Sequence, residues 1–329
     1  MNFKIGIIGY GKMGQIRHKT IMENGFGEVV AISDPVLDKT LINIPPNVSI
    51  DYIMDNKKIN VVIICTPNYL NKPLTIRALK SGKHVFCEKP PAFNARDIEE
   101  IIEVENHNPY LKLMYGFNHR HHDSIIKMKK IIDKKEYGKI LWMRGRYGKS
   151  VYQNYYKSWR ADPKQSGGGI LIDQGIHMLD LFLHFAHDFD SVKAEVSNLY
   201  WKMPIEDNVF AIFKNSKSGV VASLHSTMSQ WRHLFSLEIF LEKGYMVLNG
   251  LITSSMTYGE EILSIAKNRT TAPAATWRDE EKETFTVNNS WKYEMEHFFN
   301  SIIHDSPITI GNSQDALKLM RIIDEIYKN

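Results

Sequence analysis

The chain has 329 residues, 43% of them hydrophobic, with a formal charge of +4 and 2 cysteines. That length admits two domains, and the composition is that of a soluble globular protein. So small a positive excess gives no ground for nucleic-acid binding and permits at most an acidic small molecule.

No apolar run reaches membrane-spanning length, so no membrane partner is expected. "MNFKIGIIGYG" opens the chain as a strand with no small-residue cleavage site behind it, which argues against a signal peptide. Cys65 and Cys87 cannot build a disulfide framework, so reduced thiols in a cytoplasmic protein are expected. Strand signals follow in "EVVAISD" (28–34), "NVVIICTPN" (60–68), "KHVFCEKP" (83–90) and, more weakly, "LKLMYGF" (111–117). Helix-like stretches lie between them. The one over 70–82 closes on a glycine, and the one over 94–107 opens on Asn94 as a cap, with Asp97 three residues on. Val/Ile runs alternating with helices imply a parallel sheet covered on both faces.

Beyond about residue 190 strand-like segments follow one another with only turn signals between them, including a hairpin turn within 242–244. Two helices, near 291–303 and 313–328, end the chain. The expected fold is an α/β Rossmann-type dinucleotide-binding domain over 1–120. An α+β substrate-binding and oligomerisation domain with an open, mainly antiparallel sheet follows over 121–329.

"GYGKMG" places Gly9, Gly11 and Gly14 in the G-x-G-x-x-G spacing, after a strand and before a helix. Gly9 suits the tight turn, Gly11 the approach of a pyrophosphate, and Gly14 close helix–strand packing. Unpaired N–H groups at the helix start face the phosphates. Asp34, 20 residues beyond Gly14, ends the second strand where a carboxylate accepts ribose hydroxyls. It would repel a 2′-phosphate, so NAD is favoured over NADP, although Lys12, Arg17 and Lys39 could still approach.

In "GGGILIDQGIHMLD" (167–180), Asp173, His177 and Asp180 fall on one face of an apolar helix. A metal site, a proton-transfer pair and a buried hydrogen-bond network all fit that stripe. Together with "GIIGYGKMG" and "TPNYLNKPLTIRALKSGKHVFCEKPPA", it resembles the glucose–fructose oxidoreductase/inositol dehydrogenase family, written Gfo/Idh/MocA. The resemblance extends over nearly the whole chain. It implies a catalytic lysine at Lys89, a catalytic Asp173–His177 pair and a cis peptide bond at Pro90. Asn71 departs from it, since the family commonly shows histidine there.

Lys89 follows a parallel strand at its carboxyl end, where it could stabilise negative charge on a substrate oxygen. His177 is the candidate base for the hydroxyl proton, with Asp173 orienting the ring or stabilising its charged form. Asp180 is read as reinforcing the helix or binding backbone. Zinc lacks a full ligand set, and no metal is expected. Lys12, Met13, Thr66, Pro67, Asn68, Glu88 and Lys89 join Gly9, Gly11, Gly14 and Asp34 as cofactor-side residues. The basic, aromatic stretch 144–163 suits a sugar ring and an acidic group, Arg146, Lys149, Lys157 and Arg160 being the candidate cations. The resemblance implies a substrate-side role for Trp159 and Arg160, and Asn118 and Arg120 from the "NHRHHD" cluster are expected to join them, with Lys89, Asp173 and His177, as substrate-binding residues.

The whole reads as an NAD-dependent oxidoreductase acting on a hydroxyl of a sugar, sugar derivative, sugar nucleotide or cyclic polyol. A homodimer or homotetramer is expected from the broad sheet face. Two rivals are a hydrolase on the same fold that oxidises its sugar transiently with bound NAD, and a non-catalytic ligand sensor. The glycines are expected to give the backbone room beside cofactor and substrate.

Overall fold

In the computed structural model, residues 3–37, 44–269, 272 and 276–328 are described. They form two compact units: Met1–Asn118 with Ser290–Met320, and His119–Asn289 with Arg321–Asn329. Lys39, weighed above as a phosphate partner, lies outside the described residues.

The first unit alternates β1 (Lys4–Ile8), α1 (Lys12–Glu23), β2 (Glu28–Ser33), α2 (Ile50–Asp55), β3 (Val61–Ile64), α3 (Asn71–Lys80), β4 (His84–Glu88), α4 (Ala95–Asn106) and β5 (Leu113–Gly116). The strands pair in parallel in the order β2-β1-β3-β4-β5. Val61–Ile64 is buried throughout, as a strand covered on both faces must be. Asn94 caps α4 as expected, its side chain accepting from Asp97 N at 2.9 Å. The Lys89–Pro90 peptide is cis. Cys65 and Cys87 are both free.

The second unit holds α5 (Asp123–Asp133), β6 (Ile140–Ser150), α6 (Pro163–Ser166), a π-helical turn over Leu171–Gly175, and α7 (Ile176–Ala186). Then come β7 (Ser191–Ser197), β8 (Asn208–Lys214), β9 (Val221–Thr227), β10 (Ser229–Leu241), β11 (Gly244–Asn249), β12 (Glu261–Lys267) and β13 (Glu281–Phe285). The sheet runs β13-β12-β11-β10-β6-β9-β8-β7. It is antiparallel except where β6 lies parallel to β9. A parallel pair needs a long crossover, and the segment through α7 supplies it. The hairpin turn expected within 242–244 joins β10 to β11, with Leu241 opposite Gly244.

Helices α8 (Ser290–Ile303) and α9 (Ser313–Lys328) fall where the periodicity predicts them. The domain division 121–329 nevertheless needs correction, because 290–320 belongs to the first unit. The reason is apolar packing. Phe299 lies 5.2 Å from Phe3 and 5.3 Å from Phe26 between ring centroids, and Phe298 lies 5.8 Å from Phe86. Among the described residues no helix is long and apolar enough to cross a membrane.

Candidate functional site

In the first unit the glycine loop joins β1 to α1. Gly9 sits at φ +87°, and a side chain there would meet Cys65 O at 2.4 Å; a Cβ on Gly14 would meet Gly9 O at 2.2 Å. Backbone thus comes too close for a side chain at both positions, that of Cys65 after β3 at Gly9 and that of the loop itself at Gly14. Gly11 differs, since nothing lies within 4 Å of a Cβ built on it, and as N-cap of α1 it offers no side-chain cap. An uncapped helix start beside open space is a cradle for phosphate. It lies where β1 has β2 on one side and β3 on the other, the switch point at which such sheets bind ligands.

Asp34 follows β2. Its Oδ2 accepts from Tyr10 N at 2.6 Å and its Oδ1 from Val36 N at 2.8 Å, so the carboxylate is tied to the glycine loop. Asn47 fixes its backbone, donating to Asp34 O at 3.0 Å and accepting from Asp34 N at 3.0 Å. Each carboxylate oxygen keeps a further lone pair for a ribose hydroxyl. These residues fit a dinucleotide.

Arg17 is not available to a 2′-phosphate. It is fully buried, with Nη2 2.7 Å from Glu88 and 2.6 Å from Glu294, and Nε donating to Glu88 Oε1 at 2.7 Å. Burial alone would lower its pKa, but Glu294 and Glu88 outweigh burial and raise it. Glu88, assigned to the cofactor from sequence, thus has a buried protein partner. Lys12 is exposed and Met13 half-buried on the first turn of α1. Thr66 and Pro67 follow β3, Asn68 begins a short 3-10 turn, and Lys89 directly follows β4. Asn118 donates to Ser290 Oγ at 3.2 Å at the end of this unit.

In the second unit the triple-glycine segment leads into the π-helical turn. A Cβ on Gly168 would fall 2.2 Å from Tyr327 Oη, and one on Gly169 would fall 2.0 Å from Glu206 O. The space a side chain on these two glycines would need is filled by the chain's own Tyr327 and Glu206. Glu206 accepts from Gly169 N at 2.7 Å, Leu171 N at 3.0 Å and Tyr327 Oη at 2.9 Å. Burial raises its pKa, and the hydrogen bonds from these donors pull the other way.

The expected stripe spans two windings, Asp173 in the π-helical turn and His177 and Asp180 in α7. Each of the three side chains has a neighbour from outside this segment. Asp173 pairs with Lys149 of β6, whose ammonium lies 3.3 Å from Tyr155 Oη. Lys149 thus belongs to Asp173 rather than standing as a solvated cation. Asp180 takes Arg120 Nε at 2.8 Å and Nη2 at 2.6 Å, a buried two-bond pair where a helix or backbone contact was expected. His177, 7% exposed, stacks on His119 at 3.9 Å between ring centroids, tilted by 17°. His119 Nε2 in turn shares a hydrogen bond with Tyr147 Oη at 3.0 Å.

Trp159 and Arg160 form a short 3-10 turn, with Arg160 exposed and its guanidinium 4.4 Å from the Trp159 ring centre. Arg146 and Lys157 are exposed. Among the described residues no three His, Cys, Asp or Glu side chains gather as a metal site.

Sequence reasoning missed Glu206, Asn47, the partners of Arg17 and the stacking of His119. Arg17 does leave a trace, since it falls with Gly14 and Ile21 on the buried face of α1 and a cation there needs acids. Those acids lie 71 and 277 residues away, out of reach of local pattern.

Residues 3–117 match the family described as an oxidoreductase family with NAD-binding Rossmann fold, and residues 125–247 match the GFO/IDH/MocA C-terminal domain. Inositol 2-dehydrogenase of Salmonella typhimurium (strain LT2) is 32% identical over 169 residues, which is 49% of this chain and 50% of that protein. The 2,7-anhydro-N-acetylneuraminate hydratase of Escherichia coli (strain K12) is 26% identical over 255 residues, 74% of this chain and 64% of that protein. The matched region thus spans about half the length of the dehydrogenase. Levoglucosan dehydrogenase in complex with NADH and levoglucosan superposes with a TM-score of 0.84 at 22% identity, covering 100% of this chain and 97% of that one, a likeness of fold.

Proposed function

The chain belongs to the GFO/IDH/MocA family of oxidoreductases, and on that premise we propose that it oxidises a secondary hydroxyl of a sugar, sugar derivative or cyclic polyol at the expense of NAD. One observation carries this reading: Gly9, Asp34, Thr66 and Lys89 all follow the carboxyl ends of strands of one parallel sheet, beside an uncapped helix start. A nicotinamide bound there supplies the hydride acceptor. Lys89 Nζ donates a hydrogen bond to the substrate oxygen and stabilises its developing charge. A ring nitrogen of His177 takes the hydroxyl proton. Asp173, its charge balanced by Lys149, lies beside that ring in sequence, and Arg120 holds α7 through Asp180. Trp159 and Arg160 offer an aromatic face and a cation to a sugar carrying an acidic group. Asp34 favours NAD over NADP, and the buried Arg17 offers no counter-charge to a 2′-phosphate.

The free Cys65 and Cys87 support a cytoplasmic location. The open face of the second sheet supports a homodimer or homotetramer. Trp142, Val221, Phe210 and Ile212 are all exposed there.

The test is a panel of polyols, sugars and sugar nucleotides, including myo-inositol and levoglucosan, incubated with the protein and NAD while NADH absorbance is followed. At least one compound is expected to give net NADH. The hydratase relative supports a second reading, in which oxidation is transient and the hydride returns to the product. A changed compound without net NADH identifies that case, and neither change across the panel sinks the oxidoreductase reading. The preference for NAD is checked by calorimetry: Asp34→Ala should narrow the affinity gap between NAD and NADP. Equal affinity of the unmodified protein for both would overturn it.

A further inference from the structure

We propose that Asn71 positions Lys89, an inference that rests on the assignment of Lys89 to the substrate hydroxyl. Asn71 is 0% exposed at the start of α3. Its Nδ2 donates to Glu88 O at 3.2 Å and to Pro90 O at 2.7 Å, the two carbonyls on either side of Lys89. Two carbonyls can only accept, so the NH₂ end must face them, and Oδ1 on the other side accepts from Thr66 Oγ1 at 3.1 Å.

One NH₂ group has two hydrogens, so a single side chain serves both acceptors. An aspartate of the same size would set oxygen against oxygen, and an alanine would leave two buried carbonyls without this donor. The backbone on both sides of Lys89 is thereby held to α3. Residue 88 is held a second time, because Arg17 grips the Glu88 carboxylate. With its base fixed at two points, a long lysine side chain reaches one oxygen with less loss of freedom. Asn71 is buried and acts through Lys89, so it is a positioning residue.

The first arm of the test needs no substrate. Lysine amines are reductively methylated with isotope-labelled formaldehyde, and the Lys89 resonance is identified by its loss in Lys89→Arg. In Asn71→Asp that resonance should move toward the solvated lysines and sharpen. Asn71→His, which keeps a ring N–H donor, should restore part of the shift. A Lys89 signal unchanged in Asn71→Asp, while the melting temperature falls, would overturn the proposal, since the amide would then only brace the fold.

The second arm uses whichever compound the panel identifies. Asn71→Asp should lower kcat roughly 10- to 10²-fold while NAD affinity by calorimetry stays within about two-fold. In a Lys89→Met background the same substitution should change kcat by less than about three-fold. Equal losses in both backgrounds would overturn the inference. If Lys89→Met itself leaves turnover intact, the role given to Lys89 fails, and the resonance arm still judges the clamp.

Discussion

His177 illustrates how much one residue's chemistry depends on neighbours that sequence does not reveal. Its ring is buried against the face of His119, and the acid four residues before it is paired with Lys149. Replacing the ring proposed as the base should be decisive: His177→Asn should lower turnover by roughly 10²- to 10⁴-fold while NAD affinity changes little. Turnover near that of the unmodified protein would return His177 to the role of a buried, stacked ring. Lys149→Met tests the electrostatics. It leaves the Asp173 carboxylate without its counter-charge, which favours the protonated imidazole. The acid limb of the pH–rate profile should then move to higher pH. A profile that loses height without moving would mean that Asp173 and Lys149 do not act on the ring's charge.

At the scale of elements, the parallel strands were legible because Val/Ile runs closing on turn residues leave few alternatives. Helix α4 was legible through Asn94, and the last two helices through their periodicity. The π-helical turn was not, and neither was the partner at its start: Glu206, more than thirty residues later, takes the N–H groups of Gly169 and Leu171. The same pattern of letters therefore hides two kinds of glycine. Gly11 faces open space, whereas a Cβ on Gly169 would sit 2.0 Å from Glu206 O. Gly11→Val should keep the melting temperature near that of the unmodified protein and weaken NAD binding by blocking the pyrophosphate. Gly169→Ala should do the reverse, costing about 1–3 kcal/mol of stability through overpacking and leaving NAD affinity of the folded fraction intact. Melting curves and calorimetry on both variants decide it. A destabilised Gly11→Val protein with normal NAD affinity would contradict the assignment of the loop.

For the whole molecule, association is the property that single residues and elements do not settle. On the second sheet's open face, cross-strand register sets Trp142 opposite Val221 and Phe240, and His225 opposite Arg146 and Phe210. Trp142 stacks on Phe240 at 4.1 Å and Phe210 on His225 at 3.9 Å, with Phe210 52% and Ile212 55% exposed. Apolar side chains side by side on a sheet face are a surface that association would bury. Charges of both signs lie among them, Arg144 paired with Glu238 by two bonds at 2.8 Å, so a copy related by a two-fold axis could meet opposite charge. Replacing Phe210 and Ile212 together with Glu puts two uncompensated charges into that face while leaving the buried side of β8 unchanged. Light scattering should report a dimer or tetramer for the unmodified protein and a monomer for the double variant, with little change in NAD affinity. An unmodified protein that is monomeric at tens of micromolar would remove the sheet face from consideration. An oligomer unaffected by both substitutions would move the interface elsewhere.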